Sequence, residues 1–360
     1  MRTSVTDKLR QLLHEPRASS ITLEQMRFRC GVASDDAHGL SWVKWFLKPS
    51  FHATKEPPNW QIVFHRNDRL CRELLALVER GPYQEVYPCI LRGTVLFVCQ
   101  EIPVGPFRLL YEVEVRAFYA ALPEEHKLLI LSGKENLGSI TGVMRAVREF
   151  SSLEHHRRSG IVVRAAAVEQ DGWATLILAR NPQQRMASLI RLLLNGAKLI
   201  SSEWTILCPT PGGIRVVGVP SVAVLRLADL NAFPSFQARL ERQRHDYRVC
   251  IPDFKEPGVW RISPLQLSSL SGTVVIGGAR LGKLFFIGDD TARTEQLDPL
   301  QGKTRLQGYI VDFTESKRFF FPGIYPVDDQ LCKHTVEQMS LAASLQAECW
   351  QLSGEEIGNG

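Results

Sequence analysis

The segment between residues 176 and 204 contains residue types, at suitable spacing, that could bind phosphate. Its sequence, LILARNPQQRMASLIRLLLNGAKLISSEW, passes from an apolar strand through a short polar loop into a helix. Helix N-termini attract phosphate through free N–H groups and partial positive charge. Gln184 and the cation Arg185 lie at the start of this helix, and the hydroxyl of Ser188 follows. Glu203, beyond the helix, could act as a base or metal ligand in phosphoryl transfer.

The loop nevertheless departs from the phosphate-loop pattern G-x-x-x-x-G-K-[ST]. In the alignment, Ala179 and Gln184 take the glycine positions, Arg185 takes the lysine position, and Met186 takes the hydroxyl position. A glycine-free loop cannot easily turn consecutive N–H groups toward one anion, and a thioether is a poor ligand for magnesium. No glycine occurs between residues 172 and 196, so shifting the alignment does not restore the pattern.

Periodicity predicts the elements around this loop. A helix is expected from near Glu135, and the Asp171-Gly172 pair predicts a hairpin whose second strand leads into the loop. Residues 198–209 predict a third extended segment, and Gly212-Gly213 predicts a turn into a fourth. Further on, SPLQLSSL predicts a short serine-capped helix, and TVVIGGARLGKLFFIGDD predicts two strands around a glycine-rich turn.

The N-terminal part of the chain predicts a sheet with few helices. Apolar and β-branched runs predict strands at residues 60–65, 85–102, 107–122 and 126–133, with a break in the second run at Arg92-Gly93. Leucines at helical spacing predict a helix over residues 68–80. The segment KPSFHATKEPPNW predicts a loop, because its prolines remove backbone donors.

The middle of the chain resembles the kinase-like domain of the HPr kinase/phosphorylase superfamily, whose nucleotide site is similar to that of phosphoenolpyruvate carboxykinase. The resemblance rests on MRAVREF, GIVVRAAAVEQDGWATLILA, LIRLLLNGAKLISSE and GGIRVVGVP. It covers residues 145–219 and extends loosely to residue 290. It implies an α/β fold with an HPr kinase-like mixed-sheet domain over residues 135–295. A smaller, sheet-rich α+β region over residues 1–134 would precede this domain, and a C-terminal extension over residues 296–360 would follow it.

The resemblance also implies roles for individual positions. The family's two aspartates after the GA turn correspond to Ser202 and Glu203, and a histidine found in many relatives corresponds to Arg164. Arg145 and Arg148 lie on the preceding helix. They are interpreted either as a surface ion-pair set with the neighbouring glutamate or, together with Arg164, as candidates for binding a partner.

Two main hypotheses of function follow. In the first, the chain is a catalytically degenerate kinase-like protein, a pseudokinase. It acts as a binding or scaffolding subunit for a peptide, a biosynthetic intermediate or an active enzyme partner, and it needs no cofactor or metal. In the second, it is a kinase that uses ATP or GTP with Mg²⁺ to phosphorylate a serine or small-molecule hydroxyl. Arg185 then replaces the lysine, Gln184 and Ser188 lie near the phosphates, and Glu203 is catalytic.

Composition limits the remaining classes of function. The chain has 360 residues, a net charge of +5 and eight cysteines without a C-x-x-C pair, which argues against a zinc site. The basic run at residues 239–248 raises nucleic-acid binding as a third, minor hypothesis. Without a signal peptide or a long apolar run, the sequence predicts a cytoplasmic protein with no membrane role. The resemblance also implies an oligomer, homomeric or heteromeric.

Overall fold

The protein is a mixed α/β structure, which confirms the α/β class expected from the sequence. The computed structural model describes residues 4–48, 50–80, 84–91, 94–113, 116–133, 138–226, 230–242, 258–288, 294–311, 325 and 329–353. Within these ranges, no helix is both long enough and apolar enough to cross a membrane.

The chain forms two compact units. The first comprises Met1–Leu47, Phe51–Leu153 and Phe313–Val327, and the second comprises Lys48–Ser50, Glu154–Asp312 and Asp328–Gly360. The division between the units that lies nearest to the expected boundary at residues 134 and 135 falls between residues 153 and 154, within a long helix. The expected separate extension over residues 296–360 is instead divided between the units, and its last strand pairs within the sheet of the second unit.

The first unit is built on a nine-stranded mixed sheet. Its elements are α1 (Val5–His14), β1 (Ser19–Gln25), β2 (Phe28–Ser34), α2 (Ala37–Leu47), β3 (His52–Thr54), β4 (Trp60–Arg66), α3 (Asp68–Arg80), β5 (Gln84–Leu91), β6 (Thr94–Val104), β7 (Phe107–Glu112), β8 (Ala117–Leu122), a 3₁₀ turn (Pro123–Glu125), β9 (Lys127–Ser132) and the larger part of α4 (Gly138–Arg157), whose last four residues belong to the second unit. The strand order is β3-β1-β2-β4-β9-β8-β7-β6-β5. Strands β2, β4 and β9 run parallel and their other neighbours run antiparallel.

Local patterns account for most of these elements. Helix α3 has the predicted bounds, and it buries Leu70, Leu74 and Val78, which recur every four residues along one side. The predicted strands of this region are present. The segment expected to be a loop contains the short strand β3, which pairs with β1 at the edge of the sheet.

The second unit contains a second nine-stranded mixed sheet and a separate two-stranded ribbon. Its elements are β10 (Ile161–Val163), β11 (Ala166–Gln170), β12 (Trp173–Ala179), α5 (Pro182–Leu194), β13 (Lys198–Ser201), β14 (Trp204–Thr210), β15 (Gly213–Val219), β16 (Ala223–Arg226), α6 (Pro234–Arg242), β17 (Val259–Ile262), α7 (Pro264–Ser271), β18 (Gly278–Gly288), β19 (Glu295–Leu297), α8 (Pro299–Gln307), α9 (Asp329–Gln346) and β20 (Glu348–Ser353). The main order is β10-β14-β15-β18-β12-β11-β13, with β20 beside β18 and β19. Strands β12 and β20 run parallel to β18.

Helices cover this sheet on both faces. On one face, here called the α8–α9 face, strand residues such as Leu176 and Leu284 form a core with Leu306 and Met339. On the opposite face, here called the α5–α7 face, Ile177 and its neighbours form a second core. It contains Ala179, Leu189, Ile190, Leu193, Phe236, Leu267 and Ile287. Residues 176 and 177 therefore belong to opposite cores, as alternation along a strand requires.

Glycine accounts for one success and one error of the sequence prediction. Asp171 and Gly172 both have positive φ, at 53° and 86°, and they join β11 to β12 in the predicted two-residue hairpin. The segment after Thr273, predicted to be two strands around a turn, contains the single continuous strand β18. Its Gly278 does not turn the chain. A side chain there would collide with the carbonyl of Val216 on β15.

Candidate functional site

The connection between β12 and α5 is too short for a phosphate loop. Only Arg180 and Asn181 lie between the strand and the helix. The side chain of Asn181 accepts a hydrogen bond of 2.9 Å from the N–H of Gln183, while Pro182 has no N–H to offer. The N–H of Arg185 donates at 3.2 Å to the Asn181 carbonyl. These backbone groups are therefore bonded within the helix start, and they do not converge on an external anion.

Arg185, which aligns with the lysine of the phosphate-loop pattern, is buried. Its side chain is 4% exposed. The Nη1 atom donates to the Ala179 carbonyl at 3.3 Å, and Nη2 lies 3.8 Å from Oε1 of Glu203. The guanidinium therefore folds back over the end of β12 and faces Glu203, for which the sequence resemblance implies an acidic role.

Hydroxyl groups fix the turn that carries Glu203. Ser201 and Thr205 share a hydrogen bond of 2.6 Å, and Thr205 donates to the carbonyl of Ala165 at 2.8 Å. The hydroxyl of Ser202, the residue after Ser201, lies 3.2 Å from the hydroxyl of Ser221. All these hydroxyl-bearing residues are buried. The turn between β13 and β14 is thereby held in place, and the Glu203 side chain remains one third exposed.

Arg164 completes what we call the arginine–glutamate cluster, formed by Arg164, Arg185 and Glu203. Arg164 lies between β10 and β11, and its N–H donates to the Tyr309 carbonyl at 2.8 Å. Its Nη2 is 3.9 Å from the same Glu203 oxygen that faces Arg185. Two arginines therefore share one carboxylate, and the cluster keeps one net positive charge.

The electrostatics of the cluster follow from burial. Burial lowers the pKa of Arg185, the Glu203 carboxylate opposes that shift, and the Arg164 cation adds to it. The buried Nε of Arg185 has no hydrogen-bond partner among the described residues. A cation in this position depends on Glu203 for compensation, because an uncompensated buried charge is strongly destabilising.

The other residues of the expected phosphate site lie elsewhere. The hydroxyl of Ser188 donates to the Gln184 carbonyl at 2.8 Å, so it is bonded to the backbone of its own helix. Gln184 is partly exposed on the first turn of α5, and Met186 packs against the apolar core. Of the residues predicted for phosphate or metal contact, the structure brings together Arg185 and Glu203.

Arg145 and Arg148 lie on the part of α4 that belongs to the first unit. The Nη1 atom of Arg145 donates at 3.0 Å to Glu112, which also accepts a hydrogen bond of 2.6 Å from the Tyr119 hydroxyl. Burial acts to lower the pKa of Arg145, but Glu112, Tyr119 and Glu149 together outweigh it and raise the pKa. Arg145 therefore pairs with a buried glutamate of β7, and the ion-pair set with Arg148 and Glu149 stays a prediction. Arg148 is half-buried, and Glu149 is buried.

A histidine–cysteine pair that sequence reasoning missed lies in the second unit. Nδ1 of His155 is 3.5 Å from Sγ of Cys208, and both side chains are buried. Burial lowers the pKa of His155 to about 4 and raises the pKa of Cys208 to about 12. Both groups are therefore neutral near pH 7, and the thiol is not an activated nucleophile. Only the adjacent histidines at 155 and 156 could have drawn attention to the pair.

Within the described ranges, no group of three or more histidine, cysteine, aspartate or glutamate side chains could hold a metal ion. In the basic run considered for nucleic acid, Arg239 and Arg242 donate to carbonyls of their own helix, α6. Residues 243–248 of that run lie outside the described residues.

No protein-family model matches this chain. A search of curated proteins likewise found no match.

Proposed function

We propose that this chain is a catalytically degenerate, HPr kinase-like protein that acts as a binding or scaffolding subunit. Its partner would be a peptide, a biosynthetic intermediate or an active enzyme, and it would need neither nucleotide nor metal. The arginine–glutamate cluster is the observation that carries the proposal. The residue in the lysine position faces the residue in the acidic position, where a kinase would hold phosphate and magnesium between them.

The local geometry argues against a triphosphate at this position. The N–H of Gln183 is bonded to the Asn181 cap and that of Arg185 to the helix backbone, Pro182 contributes none, and Met186 replaces the metal-binding hydroxyl. Each charge-assisted hydrogen bond contributes about 1.5–3 kcal/mol. The loss of three such bonds would cost at least about 4.5 kcal/mol, which is more than about a thousandfold in Kd.

Titration calorimetry with ATP and GTP, with and without Mg²⁺, tests this proposal. We expect no saturable heat up to millimolar nucleotide, because the backbone has no phosphate cradle to offer. Saturable binding at micromolar Kd would overturn the proposal. If no nucleotide binds, co-purification of this chain from the native cell would then identify its partner.

One observation favours the alternative, a kinase acting on a serine or small-molecule hydroxyl. Glu203 remains partly exposed beside two cations, so an incoming phosphate could compete with it for Arg164 and Arg185. The alternative predicts transfer of the γ-phosphate of ATP or GTP, with Mg²⁺, to an acceptor. It also predicts that Arg185→Ala and Glu203→Gln each abolish this transfer. Transfer that is unchanged in both variants would contradict it.

A further inference from the structure

Side chains from three adjacent strands form a row on the α5–α7 face of the second sheet. Arg215 on β15 lies opposite Arg280 on β18, and Arg280 lies opposite Trp173 on β12. The adjoining residues Val216 and Leu281 point into the core of the other face. Because side chains alternate across a sheet, Arg215, Arg280 and Trp173 project together from this face.

The side chains of this row are exposed to solvent, and two contacts hold its arginines in place. The guanidinium carbon of Arg280 lies 5.0 Å from the centre of the Trp173 ring, within the range of a cation–π contact. Arg215 donates to the Gly278 carbonyl at 3.1 Å. Trp173 is nevertheless 48% exposed, and both arginines are exposed. Trp173 therefore exposes a large aromatic ring that contacts one cation, Arg280, and shares its face of the sheet with a second, Arg215.

A second row extends the same surface. The register between β12 and β18 shifts beside Gly282, so that Lys283 pairs with the residue two positions after Trp173. The extra residue puts Lys283 on the same face as Arg280. Across β18, Lys283 Nζ lies 3.9 Å from Glu348, which also accepts a hydrogen bond of 3.4 Å from Trp350.

These residues, Trp173, Arg215, Arg280, Lys283 and Trp350, are here called the basic–aromatic platform. Farther along the same strands, the core of the α5–α7 face begins at Ile177 and Ile287, where helices cover the sheet. The platform therefore occupies the end of the sheet face that no helix of the described ranges buries. It presents three cations, one of which, Lys283, lies near the carboxylate of Glu348.

We propose that the basic–aromatic platform binds an extended, acidic segment of a partner protein. Neighbouring strands lie about 4.8 Å apart, and alternate side chains of an extended peptide lie about 6.6 Å apart. Aspartate or glutamate side chains at alternate positions could therefore reach cations on neighbouring strands, while an apolar side chain between them covers Trp173. The excess of three cations over one carboxylate supplies the charge complementarity.

The same observations favour a peptide over single-stranded nucleic acid. Nucleic-acid platforms stack successive bases on open aromatic rings. Here, Arg280 already occupies one face of the Trp173 ring and Trp350 is half-buried, so the platform offers no series of open rings for successive bases. Carboxylates need only the cations, and bidentate arginine–carboxylate pairing suits the exposed guanidinium groups.

This inference rests on the proposed role as a binding subunit, and it names the chemistry of the partner. The test uses fluorescence anisotropy with a labelled peptide of about twelve alternating glutamate and tyrosine residues, added to the full chain. Peptides with serine or lysine in place of glutamate serve as probe controls. Arg280→Glu and Lys283→Glu reverse charge on the platform. Arg305→Glu makes the same change on an exposed residue of α8, which lies on the opposite face.

We expect saturable binding of the glutamate–tyrosine peptide that Arg280→Glu and Lys283→Glu each weaken by at least about tenfold and Arg305→Glu by less than about twofold. Circular dichroism confirms that each variant is folded. Absence of binding, equal weakening by Arg305→Glu, or tighter competing binding of an oligothymidine strand would each overturn the inference. The nucleotide calorimetry separates the two proposals. Absence of peptide binding to the wild-type chain, without nucleotide binding, overturns only this inference, whereas ATP or GTP binding overturns the proposed function.

Discussion

Glu203→Gln tests whether the arginine–glutamate cluster is a structural ion pair. At an effective dielectric constant of about 20, unit charges 3.8 Å apart interact by about 4 kcal/mol. Glu203 is one third exposed, so water and salt screen much of this attraction. The buried guanidinium of Arg185 still loses its compensating charge, and we expect the substitution to lower the free energy of unfolding by about 1–3 kcal/mol.

Burial also predicts an asymmetry between the two partners. Arg185→Met removes the buried charge, and it leaves a glutamate that keeps both solvent and Arg164. We therefore expect Arg185→Met to cost less stability than Glu203→Gln. The double variant should be more stable than the sum of the two single effects predicts, by about 1–2 kcal/mol.

Urea unfolding followed by circular dichroism measures these free energies. The same experiment on Arg164→Gln provides a matched control, because that side chain is partly exposed and should contribute less. A Glu203→Gln variant that is as stable as the wild type, or more stable, would refute the reasoning. That result is typical of a residue kept for catalysis at the expense of stability, so it would favour the kinase alternative.

Three further predictions follow from the described contacts. Glu112→Gln should lower the free energy of unfolding by about 2–4 kcal/mol in urea titrations, because Arg145 loses its buried counter-ion; an unchanged midpoint would contradict this. Burial lowers the pKa of His155 to about 4 in the folded chain, from the value of 6.5 for an exposed histidine. The unfolded chain therefore binds this proton more readily than the folded chain does. Stability should fall by up to about 3 kcal/mol as pH decreases from about 6.5 to about 4, and a stability–pH curve of His155→Gln that keeps the same slope would count against this. Asn181→Ala should cost about 1 kcal/mol in the same unfolding assay through the lost helix cap, whereas a change below about 0.3 kcal/mol would show that the cap is dispensable.

Local signals account for the parts of the fold that the sequence predicts well. The bounds of α3 follow from its leucine spacing, and the hairpin at Asp171-Gly172 follows from two residues that tolerate positive φ. The strand, loop and helix around residue 180 are also present as expected. By contrast, the glycines at the start of β18 predict a turn that the structure does not contain, because a sequence does not distinguish a bend from a close approach to a neighbouring strand.

The candidate site depends on contacts that local patterns do not encode. The sequence predicts separate roles for Arg185 and Glu203, but their pairing depends on the turn after β13 and on the buried hydroxyl of Thr205. The platform is likewise invisible in the sequence, since Trp173, Arg215 and Arg280 come from different strands. The linear sequence shows no interleaving of aromatic and basic residues, and the strand order creates it.

A crystal of the protein soaked in millimolar ATP or GTP with Mg²⁺ tests the central claim most directly. The claim is that Asn181 and the Arg185–Glu203 pair leave no place for phosphate at the start of α5. We predict no phosphate density near residues 179–186 and an unchanged distance between Arg185 and Glu203. Phosphates enclosed by the backbone of these residues, with the pair separated, would contradict the claim.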